Sequence, residues 1–163
     1  VEAAKVVTLG AWMRPVAAIG LGLLGDRFGS SRMIALLFAL LLGSDLFFAL
    51  TTPVASTTYV LLGNVLITCI AIFGFRGLYF ALFEEAKVPA AATGTAVGFV
   101  SLVGFTPDVF VNYVAGVLID RTPGLAGHQH FFLVLAAFAL LGLITSLVLA
   151  RRVSSSRPAR EYG

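Results

Sequence analysis

The chain has 163 residues, of which 59% are hydrophobic and 12% charged, with a formal net charge of +3, whereas soluble domains carry about 25% charged residues. So little polar material cannot clothe a water-soluble globule, and the charges fall in short clusters between long apolar runs, so the chain belongs to the membrane class. At about 20 residues per crossing, the length holds about five membrane-spanning helices and no separate soluble domain.

The apolar runs place those spans at residues 3–24, 33–50, 59–81, 93–119 and 131–150, making residues 1–152 one transmembrane bundle followed by a tail at 153–163. The fold class expected is therefore an all-α membrane protein. The first span is the least regular, because Lys5 and Arg14 interrupt it, and a mid-span Arg costs about 3 kcal/mol on insertion scales. The last is free of charge from Phe131 to Ala150. Connectors are expected at Gly25 to Arg32, Thr51 to Thr58 with Pro53, Leu82 to Ala92 with Pro89, and Asp120 to His130 with Pro123 and Gly124. Their lengths and turn residues suit antiparallel neighbouring helices.

Lys and Arg placement sets the orientation, because basic connectors stay cytoplasmic. Arg27, Arg32, Arg76, Lys87, Arg151, Arg152, Arg157 and Arg160 gather at one end of the alternating spans, and Lys5 and Arg121 at the other. That bias predicts a cytoplasmic C-terminus. Five crossings then put Val1 on the outer face without a signal peptide or start residue. The parity predicts the C-terminal part of a larger polytopic protein, with the N-terminal part as its partner in the bilayer.

The turn after the first span reads Gly22-Leu23-Leu24-Gly25-Asp26-Arg27-Phe28-Gly29-Ser30-Ser31-Arg32. It resembles the loop signature of the major facilitator superfamily, G-x-L-x-D-R-x-G-R-K, at its Gly, Leu, Asp, Arg and Gly positions. The two basic positions that follow are here Ser30 and Ser31, with Arg32 one place later. The resemblance implies a partial facilitator bundle, helices eight to twelve of a twelve-helix carrier. It implies the same parity as the charge bias. It also implies a cytoplasmic gate in which Gly22, Asp26, Arg27, Gly29 and Arg32 meet Arg76, Glu84, Glu85 and Lys87, provided that spans one, three and four cluster. The alternative is solvated loop charge, whose pairs contribute about 0 to 1 kcal/mol.

Span four carries Gly94, Gly98, Ser101, Phe105, Asp108, Asn112 and Ala115 along one side at helical spacing. Gly94 and Gly98 form a GxxxG pattern that permits close helix contact. Asp108 lies about 22 Å beyond Thr93 at 1.5 Å per residue, well inside the hydrocarbon, with Pro107 predicting a kink just before it. Arg14 stands about 18 Å before Asp26 by the same rise, near mid-membrane and next to Pro15. Its planar fork suits a carboxylate, phosphate or similar oxyanion, and ionisable groups at such depth mark substrate or proton pathways. Each has a bland reading beside the functional one: Arg14 as a structural ion pair, Asp108 as a hydrogen-bonded packing residue.

Asn64 and Thr68, at i and i+4 in span three, either face a cavity or join helices by hydrogen bonding. Asp45 in span two reads as structural or interfacial, because the resemblance puts its helix on the outside of the bundle. Lys5 reads as an anchor that snorkels to the surface. Adjacent Glu84 and Glu85 point in different directions on a helix and lack an accompanying nucleophile. His128-Gln129-His130 has no third ligand nearby and reads as a polar turn. The single Cys69 permits neither an intrachain disulfide nor a Cys-based cluster. No metal, cofactor or catalytic residue is expected, and basic residues that flank apolar segments argue against nucleic acid as a partner.

The function expected is secondary active transport or facilitation of a small polar solute, an anion among the candidates, by alternating access in the cell membrane, with a bacterial inner membrane expected and proton symport one option. Arg14, Asp108, Asn112 and Asn64 would line the substrate or proton pathway. The alternative is a facilitator-like sensor that binds solute without carrying it.

Overall fold

The computed structural model describes residues 2–85 and 88–155. They form five α-helices: α1 (Glu2–Phe28), α2 (Ser30–Leu50), α3 (Thr58–Glu85), α4 (Ala90–Arg121) and α5 (Leu125–Ser155), with one turn of 3-10 helix at Ala55–Thr57 ahead of α3. No strand occurs among the described residues. Of these residues, the stretches Ser30–Leu50, Thr58–Leu78 and Leu125–Arg152 are long and apolar enough to cross a membrane, and Ala91–Leu102 is a shorter apolar stretch within α4.

The helices outrun the apolar segments that predict them. The connector expected at Gly25 to Arg32 shrinks to Gly29, because nothing in Asp26-Arg27-Phe28 breaks a helix once it leaves the hydrocarbon. Gly29 has φ 93°, a region open to glycine and strained for any L side chain. Its N–H still donates to the Gly25 carbonyl at 2.8 Å while its own carbonyl accepts from Met33 N–H at 3.1 Å. One residue thus closes α1 and opens α2. The polar turn expected at His128 to His130 is likewise helical, since α5 begins at Leu125. The carbonyl of Gly124 accepts a hydrogen bond from His128 Nδ1 at 2.9 Å, which ties this imidazole to the helix entry. α1 and α4 remain helical through Pro15 and Pro107. Residues 156–163 of the expected tail lie outside the described residues.

Contacts between named side chains fix the helix directions. Phe38 meets Phe75 with ring centroids 4.6 Å apart, and Ser44 meets Thr68, so α2 and α3 are antiparallel. Phe48 stacks on Phe132 at 4.7 Å and Phe38 packs against Gly142, so α2 and α5 are antiparallel as well. Leu21 lies on Gly74 and Gly25 on Leu78, so α1 and α3 run parallel. α2 is central, packing on α3, α5 and α1, while α4 packs chiefly against α5. Three residues, Thr122 to Gly124, separate α4 from α5, and so short a link holds consecutive helices side by side.

The best-buried apolar cluster is Met33, Ile34, Leu37, Ala71 and Leu78, with Leu21, Phe38, Leu41, Phe75 and Leu82 packed around it. It sits where α1, α2 and α3 meet near the Gly29 turn. Elsewhere large apolar side chains face outward on every helix: Leu23 on α1, Leu50 on α2, Ile72 on α3, Val109 on α4 and Leu141 on α5 are all exposed. Side chains that would be a liability in water are the solvent-matched surface of a bundle in lipid. Tyr59, exposed at the start of α3, sits where an amphipathic ring favours the bilayer boundary.

Candidate functional site

The alternating directions bring the C-terminal ends of α1, α3 and α5 and the N-terminal end of α2 to one end of the bundle. Asp26, Arg27, Arg32 and Arg76 are exposed there, together with Arg151 and Arg152. Arg27 lies over the ring of Phe28, 5.7 Å from its centroid, a cation–π distance that keeps the guanidinium near the turn. At the opposite end, Arg121 is exposed and the stretch from Thr51 to Thr58 has no basic residue. The charge asymmetry read from the sequence is thus a spatial one.

Close approach of α1 to α3 builds this end. A Cβ on Gly77 would lie 2.5 Å from the carbonyl oxygen of Ala18, so the two backbones touch because position 77 has no side chain. The next residue, Leu78, is fully buried and fills the space over Gly25. This contact brings two of the three spans expected at the gate together. The third is placed differently: among the described residues α4 packs chiefly on α5 rather than on α1 or α3. Gly94 and Gly98, the GxxxG pair of α4, have no atom within 4 Å of an added Cβ, so the close contact this pattern permits is not made among the described residues.

Ser30 and Ser31, which replace the basic pair of the loop signature, are 5% and 2% exposed. A Lys or Arg at either place would carry its charge into a helix contact, which is costly without a partner. Arg32, one position on, is exposed. The displaced positive charge therefore follows from helix packing: the buried face of α2 takes the hydroxyls and the solvent face takes the guanidinium. Gly22 has open space around it.

Among the residues expected on the pathway, Asn64 is tied to a neighbouring helix. Its Nδ2 donates to the Ser44 carbonyl of α2 at 3.1 Å. Thr68 donates its one hydroxyl proton to the Asn64 carbonyl at 3.0 Å, so Ser44 Oγ must be the donor in its 2.5 Å contact with Thr68 Oγ1. Ser44, absent from the sequence-based candidates, closes a network that crosses the α2–α3 interface. Its signal was available as a serine flanking a buried acid in an apolar helix, but pairing with Thr68 depends on which faces meet. Replacing Thr68 by Val should lower stability by about 0.6 kcal/mol and at most about 1.7 kcal/mol, the range for interhelical hydrogen bonds in lipid. Thermal unfolding in detergent micelles checks this.

Asp45 is 6% exposed, on the buried side of α2. Asn112 is exposed on α4. Arg14 lies on α1 and Asp108 on α4. The side chains of Arg14, Asp108, Glu84 and Glu85 are not among those described, and Lys87 lies outside the described residues. Among the described residues, no group of three or more His, Cys, Asp or Glu could hold a metal ion.

No protein-family model matches the chain, and no solved structure does. Three curated relatives do. The chain is 33% identical over 86 residues to inner membrane protein YihN of Escherichia coli K12, covering 53% of this chain and 20% of that protein. It is 34% identical over 100 residues to inner membrane protein YqcE of the same organism, covering 60% and 24% respectively. Over 142 residues, 85% of this chain and 33% of the relative, it is 29% identical to the probable nitrate transporter NarT of Staphylococcus haemolyticus. The chain therefore spans a fifth to a third of the length of these relatives. With its three crossing-competent helices, it is a multi-pass membrane protein similar to bacterial inner membrane proteins and to a transporter.

Proposed function

We propose that the chain is the C-terminal five-helix part of a major facilitator carrier, moving a small oxyanion across the bacterial inner membrane by alternating access. The observation that carries this reading is the α1–α2 turn. Asp26 and Arg27 are presented at the end of a helix clamped onto α3, and Gly29 reverses the chain in one residue at positive φ. Such an end can close when a facing half approaches and open when it rocks away, as charge pairs at a bistable interface do. In this reading all five helices cross and the C-terminus is cytoplasmic, because the basic end of the bundle holds the exit of α5.

Two further points support an anion. Arg14 is the one basic residue placed by sequence at mid-membrane depth, and it can hold an oxyanion with two parallel hydrogen bonds. The relative that matches most of this chain is named for nitrate. Asp108 and Asn112 on α4 would line the pathway or carry a coupled proton. The partner is the N-terminal half, since carriers of this kind bind solute near the midplane between two repeats.

The test is nitrate uptake by the complete protein in liposomes, with and without an inward proton gradient. Uptake above that of empty liposomes, accelerated by the gradient, supports proton-coupled transport. Uptake indifferent to the gradient means facilitation without a proton. Solute binding with no flux sinks the carrier reading and leaves a sensor. A different oxyanion carried in place of nitrate would correct the substrate and keep the mechanism.

A further inference from the structure

At the end of the bundle opposite the arginines, α2, α3 and α5 part around a cavity of about 570 Å³. This is within the span of about 300 to 1,000 Å³ usual for ligand sites. Its walls are Phe48, Leu61, Val65 and Phe132, two of which form the stacked ring pair between α2 and α5. Its rim carries Thr51, His128 and Gln129 beside Pro53 and Leu125, and its floor Thr68 and Cys69. From the wall residue Leu61 to Cys69 at the floor, α3 advances about 12 Å at 1.5 Å per residue.

We propose that this cavity holds one acyl chain of a membrane phospholipid, whose head lies against His128 and Gln129. The location limits the occupant first. The three helices around the cavity are the three that are long and apolar enough to cross a bilayer, so a ligand arriving between them comes from the lipid phase. Polarity gives the orientation. The lining is mostly apolar, and its polar residues Thr51, His128 and Gln129 stand at the end where the helices leave the apolar segments, in the same order as the head and chain of a lipid at the bilayer boundary.

Hydrogen-bond accounting makes the gradient steeper than the residue types suggest. The Thr68 hydroxyl spends its proton on the Asn64 carbonyl and accepts from Ser44, so it asks nothing of a ligand. The floor is in effect apolar and suits a hydrocarbon end. At the rim the opposite holds. His128 uses its Nδ1 proton on the Gly124 carbonyl, which leaves Nε2 as an acceptor for an ammonium or hydroxyl. The Gln129 amide donates to a phosphate oxygen. A phosphoethanolamine head offers both an ammonium donor and a phosphate acceptor.

The experiment uses the complete protein in nanodiscs containing phosphatidylethanolamine with a photoreactive diazirine at mid-chain. Cross-linked peptides are then mapped by mass spectrometry. Adducts should concentrate on residues 61–69 and 125–132 and fall to the level of bulk-lipid labelling in Val65→Trp, where an indole fills the cavity. Leu133→Trp, at an exposed neighbouring position, should leave them unchanged. A second readout does not depend on a variant folding: adding phosphatidylethanolamine to delipidated protein in detergent should slow maleimide attack on Cys69.

Adducts spread evenly over the outward faces of α2 and α5, and unaffected by Val65→Trp, would mean annular lipid only and overturn the site. So would an absence of adducts together with a Cys69 already unreactive in delipidated protein, because another protein segment would then fill the space. Equal Cys69 protection by phosphatidylcholine, which has no N–H donor, would overturn the role given to His128.

Discussion

Replacing Gly77 by Ala should be among the most damaging single-methyl changes in the protein, whereas the same change at Gly63, about four α3 turns away, should be harmless. The contrast follows from what an added Cβ meets. At Gly77 it would sit 2.5 Å from the Ala18 carbonyl oxygen and 3.2 and 3.3 Å from two further backbone atoms of Ala18. Backbone cannot swing aside as a side chain can, so α1 and α3 must separate. Overpacking of this kind costs typically about 1 to 3 kcal/mol, and the separation also loosens Leu78 over Gly25 at the charged end. At Gly63 nothing lies within 4 Å, so Ala there gains helix propensity, up to about 1 kcal/mol. Thermal unfolding in detergent, followed by size-exclusion chromatography, should give a lower midpoint for G77A and an equal or higher one for G63A. A G77A midpoint equal to that of the unaltered protein would refute the backbone contact between α1 and α3.

This contact also explains why the sequence announces helices more readily than their arrangement. Hydropathy and charge spacing suffice to place five helices in order, because each apolar run is bounded by charges or turn residues such as Pro89 and Gly124. They do not say which helices touch. α2, α3 and α5 are apolar on nearly every side, and a helix uniformly greasy in composition carries no stripe to mark its packing face. The sequence pattern offered Gly94 and Gly98 as a close-contact pair, yet those two face open space while Gly74 and Gly77, spaced by three, make the tight crossing. Small residues permit close approach but do not require it.

Helix ends were legible only to within several residues for a related reason. Asp26, Arg27 and His128 mark the boundary of the hydrocarbon, where solvation changes, and a helix is under no obligation to stop there. The gate and pathway residues show the same division. Asp26, Arg27, Arg32 and Arg76 share one end of the bundle, as their spacing from the apolar runs implies. The pairing of Asn64 and Thr68 with Ser44 depends on helix rotation, which spacing within a single helix cannot supply.

Substitution of Arg14 should have the largest functional effect. Arg cannot shed its charge in a protein, so at mid-membrane depth it requires an anion as partner, either a solute or a carboxylate of the protein. The fold bears on this choice. Among the described residues α1 packs on α3 and α2, whereas α4, which carries Asp108, packs chiefly on α5. In the carrier proposed above, the solute is that partner. On that proposal, Arg14→Ala should abolish nitrate uptake by the complete protein without lowering the unfolding midpoint. Truncating one side of a buried charge pair costs about 2 to 5 kcal/mol, roughly 30-fold or more in affinity. Arg14→Lys keeps the charge but loses the planar fork, and should raise the half-saturating nitrate concentration while leaving the maximal rate closer to normal. A structural ion pair behaves in the opposite way: Arg14→Ala would lower the midpoint, and adding Asp108→Asn would restore it, because the second change removes the carboxylate stranded by the first. Restoration of both folding and uptake in that double variant would remove Arg14 from the pathway.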